Sequence, residues 1–276
     1  MPGGASAQAY PSSLFTIRTT ADLHHTADMN RGLAYDVELG ANHLGVLGLL
    51  DPDSPEMTSM LRHVENTWFL TSHGFLRSDY TTDMNRREWF NRGGFGKIQP
   101  YYGRFTQLHG LRDDVKPFLR SYYNAMVYLL DLETLSIWEH ALNVACWNKT
   151  HETGYFLQQS RMMLIQERGD ELWMAPLTPA HWMQDGMKVL IKNAPTAFGP
   201  AGYEMTSHAQ EGYIEARVDP PTRRSPQALV IRFRHPQEKK IRRVTVDGQP
   251  HDDFDPDRQC VRIPSDRERV TVRAYF

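Results

Sequence analysis

The chain has 276 residues, 40% hydrophobic and 23% charged, with a formal net charge of −2. This composition suits a globular protein with one large core or two ordinary ones, and the small net charge excludes an overall field that would recruit nucleic acid or an acidic membrane surface. No apolar run approaches the roughly 20 residues of a membrane-spanning helix, and Cys146 and Cys260 are too few for a disulfide framework.

Met1 to Pro11 is small and polar, without the charged-then-apolar pattern of a secretory signal, so the chain as written is expected in the cytoplasm, or secreted or periplasmic if a signal lies upstream. His24, His25 and Asp28 follow, but adjacent residues point apart, so no metal is expected there. Leu33, Val37, Ala41, Leu44 and Gly48 form a narrow helical stripe. Ser54 is a natural N-cap with Pro55 at the first helical position, and Met57, Met60, Leu61, Val64 and Trp68 then line one face. A long connection from His73 to Lys97 holds Asp79, Asp83, Glu88, Trp89 and Arg92 beside Gly93-Gly94. Long loops in compact domains are usually functional or disordered, and the aromatic content here argues against disorder.

A helix is expected near 98–109, close to the Tyr101-Tyr102 pair. Another follows the Asp113/Asp114 cap, with Val115, Phe118, Leu119, Tyr122, Met126 and Leu129 on its apolar face. The spacing predicts further helices near 137–147 and 152–166. These make about six helices joined mostly by short connections, which favours antiparallel hairpins.

The texture changes near 170. Short β-rich runs at 189–191, 213–218, 228–234, 243–246, 261–263 and 270–276 are separated by Pro, Gly and Asp, as in an antiparallel sandwich. Asp247-Gly248 is a two-residue hairpin signal. The division expected is a helical portion over 1–170 and a β-sandwich over 171–276, the second with a structural or accessory role.

Chemistry concentrates between Thr134 and Gly154, which hold Trp138, Glu139, His140, Trp147, His151 and Glu152. Ser136 is placed to cap a helix with Glu139 in its first turn, and Thr150 to cap one with Glu152 in its first turn. The partial positive charge of a helix start favours an ionised carboxylate, as a general base requires, although first-turn glutamates often serve only the helix itself. Glu139 and Glu152 are 13 positions apart. On one continuous helix that is roughly 20 Å, beyond the roughly 6.5–9.5 Å of an inverting glycosidase pair. They can act together only if the chain breaks near 148–150. Glu88, beside Trp89, and Asp83 are other carboxylates that could supply the acid. Aromatics are 11% of the chain, many beside charged or amide groups, which is the pairing that sugar rings require. Dinucleotide, P-loop and His-Glu-x-x-His fingerprints are absent, so no cofactor and no metal are expected.

At Thr134-Leu-Ser-Ile-Trp138-Glu139 the chain resembles the six-hairpin, (α/α)6-barrel glycosidases, especially the α-L-rhamnosidase type. His151-Glu152-Thr-Gly-Tyr-Phe resembles the start of the next barrel helix, and Val244-Thr-Val-Asp-Gly a hairpin of the closing sandwich. The resemblance covers roughly residues 100–276 and implies an α+β multidomain fold, a partial α/α toroid followed by an antiparallel β-sandwich. It implies Glu139 as catalytic base, while the early-barrel segment that carries the family's general acid has no recognisable counterpart here; Glu152, Glu88 and Asp83 are the carboxylates of this chain offered for that role. Trp138, Trp147, Trp89, Tyr101 and Tyr102 would stack on sugar, while His140, His151, Arg92 and Asp79 line the pocket. The substrate implied is an oligo- or polysaccharide.

Such barrels need about twelve helices and this chain supplies about six. A missing N-terminal portion, or a homo-oligomer that completes the site, is therefore expected. Two readings stand beside hydrolysis. One is a polysaccharide lyase on an α/α toroid using Tyr101, Tyr102, Arg104 and His109. The other is a non-catalytic fragment that binds glycan or a subunit through its open edge.

Overall fold

The computed structural model describes residues 42–64, 104–138, 148–265 and 268–276. Two compact units divide the chain, Met1–Gln159 and Ser160–Phe276.

In the first unit a helical stretch at 42–46 is followed by α1 (Pro55–Val64), α2 (Phe105–Leu111), α3 (Val115–Leu129) and α4 (Thr150–Leu164), which runs into the second unit. The Ser54 hydroxyl accepts the Met57 amide at 3.2 Å, which is the N-cap expected there. Met57, Met60 and Leu61 are buried, as their spacing requires. On α3 the buried stripe is Val115, Phe118, Tyr122, Ala125 and Leu129.

Two helix starts differ from expectation. Arg104 has left-handed backbone (φ 58) and α2 begins after it at Phe105, while residues 98–103 of the helix expected near 98–109 lie outside the described residues. Asp114 occupies the N-cap of α3 but makes no capping bond. Its carboxylate accepts from Arg112 Nε at 2.9 Å and lies 3.2 Å from His109 Nδ1. Burial alone would raise the Asp114 carboxyl, but these two partners outweigh it and hold it below its ordinary value. Arg112 also reaches the Pro52 carbonyl and the Thr58 hydroxyl, tying the start of α1 to the α2–α3 turn.

The second unit is two sheets on one apolar core. A five-stranded sheet has the order β1 (Ile165–Arg168), β2 (Glu171–Met174), β6 (Ala228–Arg232), β10 (Cys260–Ile263), β9 (Phe254–Asp255). A six-stranded sheet has the order β3 (Lys188–Ala194), β4 (Ala201–His208), β5 (Tyr213–Asp219), β11 (Val270–Tyr275), β7 (Arg243–Val246), β8 (Gln249–His251). All pairings are antiparallel except β2 with β6. Leu172, Met174, Leu229, Ile231 and Val261 from the first sheet meet Tyr203, Met205, Ile214, Val244 and Val272 from the second.

Each of the six β runs read from sequence contains a strand. The helix expected over 152–166 ends at Leu164, and β1 begins at Ile165. Strand β4 lies outside the six runs; Tyr203, Glu204, Met205 and Thr206 alternate apolar and polar along it, but Ala201 and Gly202 give it a start without β-rich residues. Gly202 is required by space, since a Cβ there would stand 2.8 Å from the Ile191 carbonyl oxygen. The β7–β8 turn is the expected two-residue hairpin: Val246 pairs with Gln249, and Asp247 and Gly248 have φ of 50° and 82°.

His235 is buried beside the Phe276 ring, with centroids 4.6 Å apart, and its Nδ1 accepts the Gln237 amide at 3.1 Å. Accepting at Nδ1 places the proton of the neutral ring on Nε2. Desolvation, with Lys239 nearby, pushes its pKa below 6.5.

Truncating Ile231→Ala, fully buried, removes atoms from the shared core and is expected to destabilise by about 2–5 kcal/mol, read as a lower urea midpoint. Because His235 is neutral in the fold and charges more readily once unfolded, its contribution is present above its ordinary pKa and is lost as pH falls through its folded value. The urea midpoint should therefore fall between pH 7.5 and 5.5, and fall less in His235→Asn, which keeps an acceptor but does not titrate.

Candidate functional site

The described part of the candidate site is built on two pieces of chain, 129–138 and the start of α4. The first is a tight turn organised by one carboxylate. Asp131 Oδ1 accepts the Glu133 and Thr134 amides at 3.0 and 2.9 Å, and Oδ2 accepts the indole N–H of Trp138 at 3.1 Å. Leu130 and Ile137 form a β-bridge across the turn, and the Trp138 amide donates to the Leu129 carbonyl at 2.9 Å. Those bonds, led by the one from the Thr134 amide, hold the Asp131 carboxyl below its ordinary range.

This turn corrects two expectations. Ser136 does not cap a helix starting at 137, because Ile137 is in the bridge. The Ser136 hydroxyl is bonded to Thr134 Oγ1 at 2.7 Å. Thr150 does not cap α4 from outside but is its first residue, and the Thr153 amide donates to the Lys149 carbonyl at 3.0 Å.

The break needed near 148–150 is present. Asn148 has φ 53, and α4 starts two residues later. The Lys149 amide donates to the Ile137 carbonyl at 2.9 Å, so the start of α4 lies against the segment that carries Trp138. Glu152 is in the first turn of α4, as expected, and is fully buried. His151 Nε2 lies 3.8 Å from its carboxylate, with the His151 side chain about one-third exposed. Next along α4, Tyr155 accepts a hydrogen bond from Arg104, whose guanidinium also lies 4.5 Å from the Tyr155 ring centre. Phe156 stacks on Tyr122 at 5.6 Å, which fixes α4 against α3.

His151 and Glu152 are neighbours in the first turn of α4, and the Lys149 amide just before them is bonded to the Ile137 carbonyl just before Trp138. Glu139, His140, Trp147, Asp79, Asp83, Glu88, Trp89, Arg92, Tyr101 and Tyr102 lie outside the described residues. Of the set weighed for lyase chemistry, Arg104 packs on Tyr155. His109 is buried with its ring edge-on to Phe105 at 4.6 Å and its Nδ1 near Asp114. Both groups hold helices together. Sequence reasoning missed Asp131. Its signal is Asp131-x-x-Thr134, an Asx-turn pattern, but nothing local says that the second oxygen reaches Trp138.

Among the described residues no helix is long and apolar enough to cross a membrane, and no group of three or more His, Cys, Asp or Glu is placed to hold a metal ion.

The described residues define a helical unit with a buried first-turn glutamate, followed by a β unit of two sheets on one core. No protein-family model matches the chain, and no curated protein is similar to it. Its structural neighbours are glycoside hydrolases. One is the GH127 β-L-arabinofuranosidase of Geobacillus stearothermophilus T6, with 12% identity and a TM-score of 0.30 over 64% of this chain and 30% of that one. A second GH127 β-arabinofuranosidase has 12% identity and a TM-score of 0.34, over 64% and 30%. A further glycoside hydrolase has 10% identity and a TM-score of 0.32, over 62% and 32%. The chain therefore spans about a third of each neighbour's length, and at these scores the likeness fixes neither fold nor activity.

Replacing Asp131 with Ala should release the Trp138 indole, seen as loss of its shifted indole N–H resonance. In the wild type that resonance should persist below the ordinary carboxylate pKa, since Asp131 stays ionised there, and should vanish only as pH falls through its depressed value.

Proposed function

We propose that this chain is the C-terminal part of a carbohydrate-active protein of glycoside hydrolase type, with an α/α-toroid portion over 1–170 and a β-sandwich over 171–276. The observation that carries the reading is Glu152, fully buried in the first turn of α4 beside the partly exposed His151, three residues after Lys149, whose amide donates to the Ile137 carbonyl next to Trp138. A carboxylate, an imidazole and an indole on adjoining segments are the groups that glycosidic hydrolysis and sugar stacking use.

In this reading Glu139 is the base that activates water, and the acid is Glu152, Glu88 or Asp83. The acid protonates the leaving oxygen while water attacks the opposite face of the sugar, so the anomeric configuration inverts. Trp138, Trp147, Trp89, Tyr101 and Tyr102 pack on sugar faces, and His140, His151, Arg92 and Asp79 bond hydroxyls. The Thr134–Glu139 motif supports an α-L-rhamnosidase type of site. The site is completed by further helices, from an N-terminal portion or a second copy. The exposed Leu47, Leu49, Leu132, Leu135 and Leu157 support an open edge in the helical unit.

The test is release of nitrophenol from a panel of aryl glycosides, α-L-rhamnoside and β-L-arabinofuranoside included, by wild type, Glu139→Gln and Glu152→Gln. Loss of a catalytic carboxylate should lower kcat at least 100-fold with the fold intact by circular dichroism. Full turnover in Glu139→Gln removes its role as base. An unsaturated, ultraviolet-absorbing product from uronate polymers would replace hydrolysis by lysis.

A further inference from the structure

The turn between α3 and Trp138 uses more of its aspartate than a turn requires. One side-chain oxygen suffices for an Asx turn, and asparagine supplies it as well as aspartate does. Asp131 spends Oδ1 that way, accepting the Glu133 and Thr134 amides at 3.0 and 2.9 Å. Its Oδ2 accepts the indole N–H of Trp138, seven positions on, at 3.1 Å. Only a carboxylate can accept on both sides, because the second polar atom of asparagine is a donor.

The rest of the turn keeps this bond in place. The Asp131 amide donates to the Ser136 carbonyl at 2.9 Å, and the Leu135 amide to the Asp131 carbonyl at 2.8 Å. The Trp138 amide donates to the Leu129 carbonyl at 2.9 Å, and Leu129 and Ile137 are both buried. The backbone of Trp138 is thus tied to the end of α3, and its side chain to Asp131. Trp138 itself is half-buried. An indole has one donor and no acceptor. With that donor given to Asp131, the ring has its face to offer a ligand.

We propose that Asp131 is a positioning residue that sets Trp138 as a stacking platform, which takes the apolar face of a sugar ring and makes no hydrogen bond to it through the indole. This deepens, and rests on, the reading of Trp138 as a sugar contact. A carboxylate that accepts the indole N–H also pushes electron density toward the ring, which strengthens its attraction for the polarised C–H groups of a sugar face. Sugar hydroxyls are then read by side chains other than Trp138.

The test is titration calorimetry of the full chain with methyl α-L-rhamnoside and methyl β-L-arabinofuranoside. Asp131→Asn keeps the oxygen that closes the turn and sets an amide donor against the indole donor. It should weaken sugar binding about fivefold or more at an unchanged melting temperature, which a role confined to the turn would not do. Trp138→Phe keeps a ring, loses the N–H and should weaken binding by a similar factor. Each variant breaks the same bond, so the double variant should bind no more weakly than the weaker single one. Trp138→Ala removes the platform and should weaken binding most. At saturating sugar the Trp138 indole N–H of the wild type should stay slow to exchange with solvent, since its bond to Asp131 persists. Loss of binding in Trp138→Ala with none in Asp131→Asn overturns the positioning role and leaves the platform standing. Multiplying effects of the two single variants overturn it as well. Unchanged binding in Trp138→Ala, or no binding of either sugar by the wild type, removes the reading of Trp138 as a sugar contact and this proposal with it.

Discussion

The β unit depends on one constraint: both sheets must bury the same side of every strand against the other sheet. Period-two alternation lets β11 give Val270, Val272 and Ala274 to the core while Thr271, Arg273 and Tyr275 face outward. A shift of one residue in its pairing would exchange those sets, so the core fixes the register and the register fixes the outer face. The cross-strand row of His208, Tyr213, Tyr275 and Arg243 is a consequence of that register. Tyr203 is a polar anchor inside this core, its buried hydroxyl donating to the Leu164 carbonyl at 2.9 Å, where α4 gives way to β1. Burial without a charge partner pushes its phenol far above the ordinary value.

The helical unit solves a different problem, bringing residues distant in sequence to one place by local turns. Asp131 does this with two oxygens. One closes the Asx turn, and the other holds the Trp138 indole, so the turn and the orientation of the tryptophan are a single structure. The left-handed Asn148 then lets the chain enter α4 beside Ile137. Asparagine tolerates that conformation better than most residues. The entry into α4 is held to the Trp138 segment by a backbone bond, and His151 at its start stays partly open to solvent.

Burial separates the glutamate from the histidine at the start of α4. Neighbours in sequence on a helix point about 100° apart, so Glu152 turns inward while His151 turns to the rim. A carboxylate taken out of water is costly unless partnered, and such positions are more often kept for chemistry or for a buried network than for surface solubility. The same inward face of α4 carries Gln159 and Met163, also buried, so polar and apolar groups share it. That mixture explains why α4 shows no clean amphipathic stripe in sequence.

Sequence alone determined the features that depend on neighbours along the chain: the Ser54 cap, the apolar stripes of α1 and α3, six of the strands, the Asp247-Gly248 turn, and Glu152 in a first helical turn. Each is set by period, cap or turn chemistry within a few residues. Tertiary structure decided what depends on competition between distant groups. Asp114 gave up its capping role because His109 and Arg112 offered charge-assisted partners. Ile137 became a bridge instead of a helix start because Leu130 lay opposite. Strand β4 takes its place because β3 and β5 supply partners on both sides, and the Ile191 carbonyl requires a glycine at 202. The pairing of Trp138 with Asp131 and the sharing of Glu215 between two arginines were likewise invisible in the sequence, because side-chain hydrogen bonds and cross-strand ion pairs are chosen by proximity in space.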